Sequence, residues 1–444
     1  MGFSTRFPKA SRKLRASRKW LLAAFVLYMV TGFLAVRLVR DPVRLTPAAA
    51  GPLPVLTLPA ARAPGTVVRG AISVHTGRSH DAEGTLEEVA DAAVPAGLDF
   101  VLLGDHVGEW ASEGASALAP RRLDGVLMIP GVEMAVLDAG RVLAVGLDTL
   151  PRDWYGTVDE LIARVDPHDG FLSVVHPRSP RERERWRAGL GRPGIDAWES
   201  FDVSEMARMR LTEPLAGYRI PALLTAMATG QGHRSLTRLW REGSATPALL
   251  AYDSVRARGP VTLTGGLNHH PKTRLFGGLF PAYQPFFRTV VNHLILDAPL
   301  PDDPVSARNR ILDALRNGRL FVTLGDAEDV ADFDVVVVGP DGGGIGMGEI
   351  GPWSGGARLV ISLPAHARGT LPVRILQDGH EVAWLQGEGG DRLQWEIPDA
   401  GVYRVEVFKG GRRLAGLRAG FQPWIFSNPI EVLGAGPARI ADGS

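Results

Sequence analysis

The sequence predicts an α/β fold: a barrel of strands alternating with helices, a C-terminal antiparallel β-sandwich, and an N-terminal membrane-spanning helix ahead of both. Three observations carry this expectation. Short apolar runs alternate with helix-starting segments between residues 70 and 330, the pattern of a parallel sheet, open or closed into a barrel. From Asp332 onward, short β-rich runs are split by Gly and Pro at roughly ten-residue spacing, the pattern of a small sandwich. Ahead of both, a strongly basic terminus leads straight into the apolar run Trp20–Val36.

Composition narrows the function classes. The chain has 444 residues, 45% hydrophobic and 22% charged, so it is neither disordered nor fibrous. Cysteine is absent. That excludes disulfides, thiolate metal sites, a cysteine nucleophile and a lipoprotein anchor. The net charge of +1 hides an asymmetry, because residues 1–40 hold Arg6, Lys9, Arg12, Lys13, Arg15, Arg18, Lys19, Arg37 and Arg40 and no acid. The remaining residues are net acidic, so no nucleic-acid partner is expected.

The N-terminal elements follow from charge and length. Residues 1–19 read as a basic cytoplasmic tail and residues 20–39 as a transmembrane anchor. Trp20–Val36 is at the short end of a span, and Leu38 and Val39 lengthen it if Arg37 snorkels. A cleaved signal peptide is the rival reading, but the basic region is long and no small-x-small site follows. The expected location is the cell membrane, single-pass, with the body exported. Residues 40–69 carry Pro42, Pro47, Pro52, Pro54, Pro59 and Pro64 and read as an extended linker.

The body is expected at 70–330. A strand at Ala71–His75 precedes Thr85-Leu-Glu-Glu88, a capping box opening an amphipathic helix whose apolar residues are Leu86, Val89, Ala90, Ala93 and Val94. Pro95 and Gly97 end it. Strands follow at Asp99–Gly104 and Val126–Ile129; a second capping box, Thr157–Glu160, leads to a strand at Phe171–Val175. Further strands are expected at Ile195–Phe201, Val261–Gly265 and Thr289–Leu296, then a helix over Pro304–Gly318 and a strand at Arg319–Thr323. The β-sandwich is placed at 331–434 and a disordered tail at 435–444.

Chemistry-bearing residues sit where these strands end. His75 closes the first; Asp105 and His106 follow the second; Glu133 follows Pro130-Gly131; His176 follows Phe171–Val175; Glu199 lies in the next strand; Asn268, His269 and His270 follow Val261–Gly265. In a barrel these positions gather at the C-terminal face, where active sites lie. Imidazole and carboxylate donors without sulfur suit Zn, Mn or Fe. His168, His233, His293, His366 and His380 lie off this pattern. The run Arg178–Arg187 reads as a solvated helix face, with Arg178 or Arg181 as a second reading that faces an anionic substrate. Gly265-Gly266 and Gly342–Gly344 fit neither a P-loop nor a dinucleotide fingerprint.

At these residues the sequence resembles the PHP superfamily (polymerase and histidinol phosphatase), in particular exported members with a C-terminal β domain. The resemblance spans roughly residues 70–434 and rests on AISVHTGRSHDAEGTLEEVADAAVPAGLDFVLLGDH, IPGVEM, VVHPRSP, DAWESFD, TLTGGLNHHP, ILDALRNGRLFVT and PWIFSNPI. It implies a distorted (β/α)7 PHP barrel holding two or three divalent metals that bind a phosphate ester and activate water. Carried over residue by residue, it implies metal ligands at His75, His80, Asp81, His106, Glu133, His176, Asn268 and His270; the catalytic candidates are His106 and, from its place just after His176, Arg178. The family's first motif pairs two His around one residue, usually after an Asp. Here the stretch is Ala71-Ile-Ser73-Val-His75, and the last motif is Asn268-His269-His270, without its acid. The resemblance therefore implies fewer than three divalent ions. The expected function is a membrane-anchored metal-dependent hydrolase of a phosphate ester or other anionic small molecule, impaired by the changes at 71, 73 and 268. A non-catalytic cell-surface binding module and a metal-dependent hydrolase of another ester or amide are the alternatives.

Overall fold

The computed structural model describes residues 20, 23–27, 30, 66–108, 110, 116–147, 154–165, 170–204, 245–275, 278–325, 329–352, 355–409, 413–414, 417–418 and 422–434. Most of Trp20–Val36, the linker up to residue 65 and the tail 435–444 lie outside these, as do His168 and His233. Among the described residues no helix is long and apolar enough to cross a membrane.

Seven strand positions go round the barrel among the described residues: β1 (Thr66–Val74); β2 and β3 (Phe100–Leu103 and Asp105–His106); β5 and β6 (Val126–Ile129 and Val132–Val136), with β4 (Arg121–Leu123) paired outside β5; β7 (Gly140–Val145); β8 (Phe171–Val175); β9 (Ala197–Asp202); and β10 (Thr262–Gly266). Pairing is parallel from β1 to β2, β2 to β5, β3 to β6, β8 to β9 and β9 to β10. The break between β5 and β6 needs Gly131, because a Cβ there would lie 2.6 Å from the Leu103 carbonyl oxygen.

The ring closes at one end only. Leu267 N–H donates to Ile72 O at 2.9 Å and His75 N–H to His269 O at 3.1 Å. Farther down, the exposed backbone edge of β10 is taken up by buried side-chain amides. Asn292 bonds Gly265 N and O at 3.0 and 2.7 Å, and Asn428 bonds Leu263 N and O at 2.7 and 2.9 Å. A buried strand edge must find such partners.

One strand departs from the expected parallel alternation. β7 runs antiparallel to both β6 and β8, because the turn from Val136 to Gly140 is a hairpin and far too short for a crossover. The helix at Leu86–Ala93 carries its full capping box and buries Val89, Ala90 and Ala93. Thr157 likewise caps Val158–Ile162. Asp303 caps Pro304–Arg316, which buries Ala307, Ile311, Leu312, Ala314 and Leu315. The segment Arg178–Arg187 is not a helix face but a series of turns. Ser179 and Arg181 bond the Glu184 carboxylate at 2.8 and 2.9 Å, and Arg185 Nε donates to Ser179 O, so local side-chain bonds win over helical ones.

The C-terminal part is a two-layer β structure. One layer pairs Gly344–Gly346, Asp334–Val338, Arg358–Ser362 and Arg392–Glu396; the other contains Leu371–Gln377, His380–Gly387, Gly401–Lys409, Gln422–Ser427 and Ile430–Leu433. Phe333, Leu359, Ile375, Val405 and Trp424 share the core. This layer does not merely pack beside the barrel. Gln422–Ser427 pairs antiparallel with β14 (Leu320–Leu324), register Thr323 to Ile425, after β11 (Thr273–Leu275), β12 (Gly278–Phe280) and β13 (Val290–Leu296). The sheet thus runs without interruption from β1 through β13 and β14 into the C-terminal layer.

Candidate metal centre

The side chains at the closed end are aimed by a bent backbone. Ser73, His176 and Asn268 have φ of 59°, 52° and 45°. Such left-handed residues cost about 1–3 kcal/mol each and collect at functional sites. A second device orients His75. Asp105 accepts from Thr76 N at 2.6 Å, Thr76 Oγ1 at 2.8 Å and Ser79 Oγ at 3.0 Å. Since Ser79 gives its proton to Asp105, its oxygen accepts from His106 N at 3.0 Å and from His75 Nδ1 at 3.1 Å. That leaves the lone pair of His75 Nε2 facing the centre. His270 is set the same way: Nδ1 donates to Asn268 O at 3.0 Å, and Nε2 faces inward.

Two groups result. His75, Asp81, His106 and His270 offer ligand atoms within 4.8 Å of one another, and His176, Glu199 and Asp202 do the same. Glu133 stands between them, with Oε2 3.3 Å from His75 Nε2 and 3.3 Å from His176 Nε2, and Oε1 3.7 Å from His106 Nδ1. In the first group, His75 Nε2, Asp81 Oδ1, His106 Nδ1 and His270 Nε2 are buried without a hydrogen-bond partner. Buried, unpartnered donors on four residues whose ligand atoms lie within 4.8 Å of one another fit a divalent cation.

Charge is arranged to match. Burial pushes the Glu133 carboxyl up, but His176, His75 and His106 around it hold it well below the usual carboxylate range. Burial pushes His176 down, yet Glu133 and Asp202 raise it well above an ordinary imidazole, with Asp202 bonded to Nδ1. Burial lowers His106 and, more strongly, His270, so both stand neutral, as metal ligation requires.

The chain is similar to a PHP-like phosphoesterase. That structure is a two-domain protein from Bacteroides vulgatus containing a predicted PHP-like metal-dependent phosphoesterase; identity is 12% and the TM-score 0.39, over 81% of this chain and 95% of that one. PsfC from Pseudomonas syringae shows 14% identity and a TM-score of 0.35, over 57% of this chain and 97% of its own. A lesion-specific endonuclease, PfuEndoQ from Pyrococcus furiosus, shows 15% identity and a TM-score of 0.22, over 33% and 46%. No family model and no curated protein matches the chain.

Of the ligands expected from the sequence, the structure brings together His75, Asp81, His106, Glu133, His176 and His270, with Glu199 beside them. Asn268 lies beside the second group, its Nδ2 donating to Asp202 Oδ2 at 3.4 Å and its Oδ1 buried without a partner. Ser73 is buried with its Oγ unpartnered. His80 is exposed, its ring 5.0 Å from that of His106, and belongs to neither group. His269 turns away: Nε2 lies 3.1 Å from Pro281 O, the ring packs on Phe286, and burial pushes it down to about 3. Arg178 lines a small cavity with Glu199 and Asp202, whereas Arg181 is 51% exposed and paired with Glu184.

Sequence reasoning missed Asp202, Ser79 and Arg141. Asp202 is the last residue of β9, so the strand-end pattern that marked the others would also have found it. Ser79 is an unremarkable loop serine until folding puts it against Asp105. Arg141 is the second residue of β7, and its Nε lies 3.7 Å from Glu133 Oε1.

Proposed function

We propose that this protein is a PHP-like metal-dependent hydrolase of phosphate esters, held at the membrane by its N-terminal segment with the body exported, and carrying fewer than three divalent ions. The observation that carries this reading is the grouping of four residues with buried, unpartnered donor atoms beside the shared carboxylate Glu133. Bound there, Zn, Mn or Fe would supply Lewis-acid activation of water and neutralise charge on a phosphoryl group.

The chain's own residues do the rest. His75, Asp81, His106 and His270 would hold one ion, and His176, Glu199 and Asp202 a second, with Glu133 shared. Asp105 and Ser79 keep His75 in the tautomer that presents Nε2. Asp202 fixes the His176 ring through Nδ1 and leaves Nε2 toward Glu133. Arg178, beside Glu199 and Asp202, is placed to meet an anionic substrate on the second group's side.

Ser73 and Asn268 favour a second reading, a catalytically impaired protein that binds ligands at the cell surface, since neither supplies the charge or imidazole of the PHP pattern. Metal analysis of the purified full chain, followed by a screen of phosphomonoesters and phosphodiesters, separates the two. Bound metal with turnover supports the hydrolase; bound metal without turnover supports the binding module; absence of metal removes both.

A further inference from the structure

Arg141 is a cation built into the centre, and among the described residues its ion-pair partner is Glu133. Because β7 runs against its neighbours, its first residues, not its last, emerge at the end of the barrel where the donor groups gather. Its Nε lies 3.7 Å from Glu133 Oε1, and its side chain is 21% exposed. Among the described residues that is its ion-pair contact, and none of them forms a hydrogen bond with its guanidinium. The opening strand position is rigid. Arg141 pairs in register with Ala135 and Val175. The preceding Gly140 has φ 124°, and a Cβ there would lie 2.5 Å from Arg185 O. Arg187 N–H also bonds Ala139 O at 2.7 Å, so the loop after β8 clamps the turn.

A guanidinium is a planar fork of donors that matches phosphate oxygens bidentately, and a partly exposed one beside a metal-ligand cluster is set for an anion. At the rim, Lys272 Nζ lies 3.7 Å from Asp81 Oδ2 and is 60% exposed, which adds a second positive charge on the approach. We propose that Arg141 is the phosphoryl-binding residue of this centre: its Nε side stays with Glu133 while its outer N–H groups bind the non-bridging oxygens of a phosphate ester. The proposal rests on the metal-hydrolase reading above and narrows its substrate class, since an uncharged carboxylic ester or amide has no use for this cation.

The test is calorimetric titration of the metal-loaded full chain with inorganic phosphate, for wild type, Arg141→Gln and Arg141→Lys, with metal content and melting temperature measured on each. Loss of a charge-assisted pair predicts phosphate binding at least about tenfold weaker in Arg141→Gln, and partial recovery in Arg141→Lys. Metal content and melting temperature should stay at wild-type values. Unchanged phosphate binding in Arg141→Gln overturns the inference. So does loss of metal or of thermal stability in that variant, which would make Arg141 a structural counter-ion of Glu133. Wild type that holds metal but binds no phosphate overturns the inference and leaves the metal centre standing; wild type that holds no metal overturns the hydrolase reading as well.

Discussion

Asn268 donates its amide to Asp202 across 3.4 Å, at the ends of two neighbouring strands. An acid at position 268 would face Asp202 as a like charge in a buried setting. The amide avoids that repulsion, and Asp202 stays bonded to His176.

Asn268→Asp should therefore depend on metal in a way the unmodified chain does not. Without metal, two buried carboxylates in contact should destabilise the protein by about 1–3 kcal/mol. Added Zn or Mn should recover that loss. Thermal melts with chelator and with each metal check this; equal destabilisation in both conditions would show that position 268 does not face a cation.

Acidification should strip the two groups in order. Burial lowers His106 and His270, so these two imidazoles stay neutral and able to ligate below the ordinary imidazole value of about 6.5. Glu133 and Asp202 raise His176 despite burial, so protons compete for it at higher pH. The second group should release its ion first as pH falls, and His270→Gln should lose only the later step. Metal release followed against pH with a chromogenic chelator checks the order; one step, or release of the first group before the second, would contradict it.

The joint between barrel and sandwich rests on buried charge. Arg404 forms a bidentate pair with Asp253 of the helix Ala245–Arg256, at 2.7 and 2.6 Å, and also binds Glu406, which Arg374 Nε meets at 2.9 Å. Burial pushes Glu406 up, but Arg404 and Arg374 outweigh it and hold the carboxyl below its usual value. A depressed folded pKa contributes stability above the unfolded value of about 4.3, and that contribution is lost as pH falls through the folded value. Glu406→Gln leaves the buried Arg404 and the half-buried Arg374 short of a partner and should cost about 3–5 kcal/mol at neutral pH. The gap to wild type should narrow below about pH 4. Denaturant unfolding of both proteins across that range measures it.

Topology is testable without the purified protein. Seven bases and no acid precede Trp20–Val36, so alkaline phosphatase fused to the C-terminus should be active in a bacterial host, and protease added to spheroplasts should remove the body. An inactive fusion with a protected body would place the body inside.

Much of this protein is determined by short-range sequence. The capping boxes at Thr85 and Thr157 were legible because both bonds of each close within a single turn. His75, His106, Glu133, His176 and His270 were legible because each follows an apolar run, and residues after parallel strands share one end of a barrel. The direction of β7 and the pairing of Ile425 with Thr323 were decided only in three dimensions, as were the amides of Asn292 and Asn428 on the β10 edge. So were the roles of Asp202, Ser79 and Arg141. The reason is physical: a side chain's neighbours depend on the direction and register of strands distant in sequence. Arg141 reaches Glu133 because β7 turns back at Gly140, a reversal that puts the start of a strand where its neighbours place their ends.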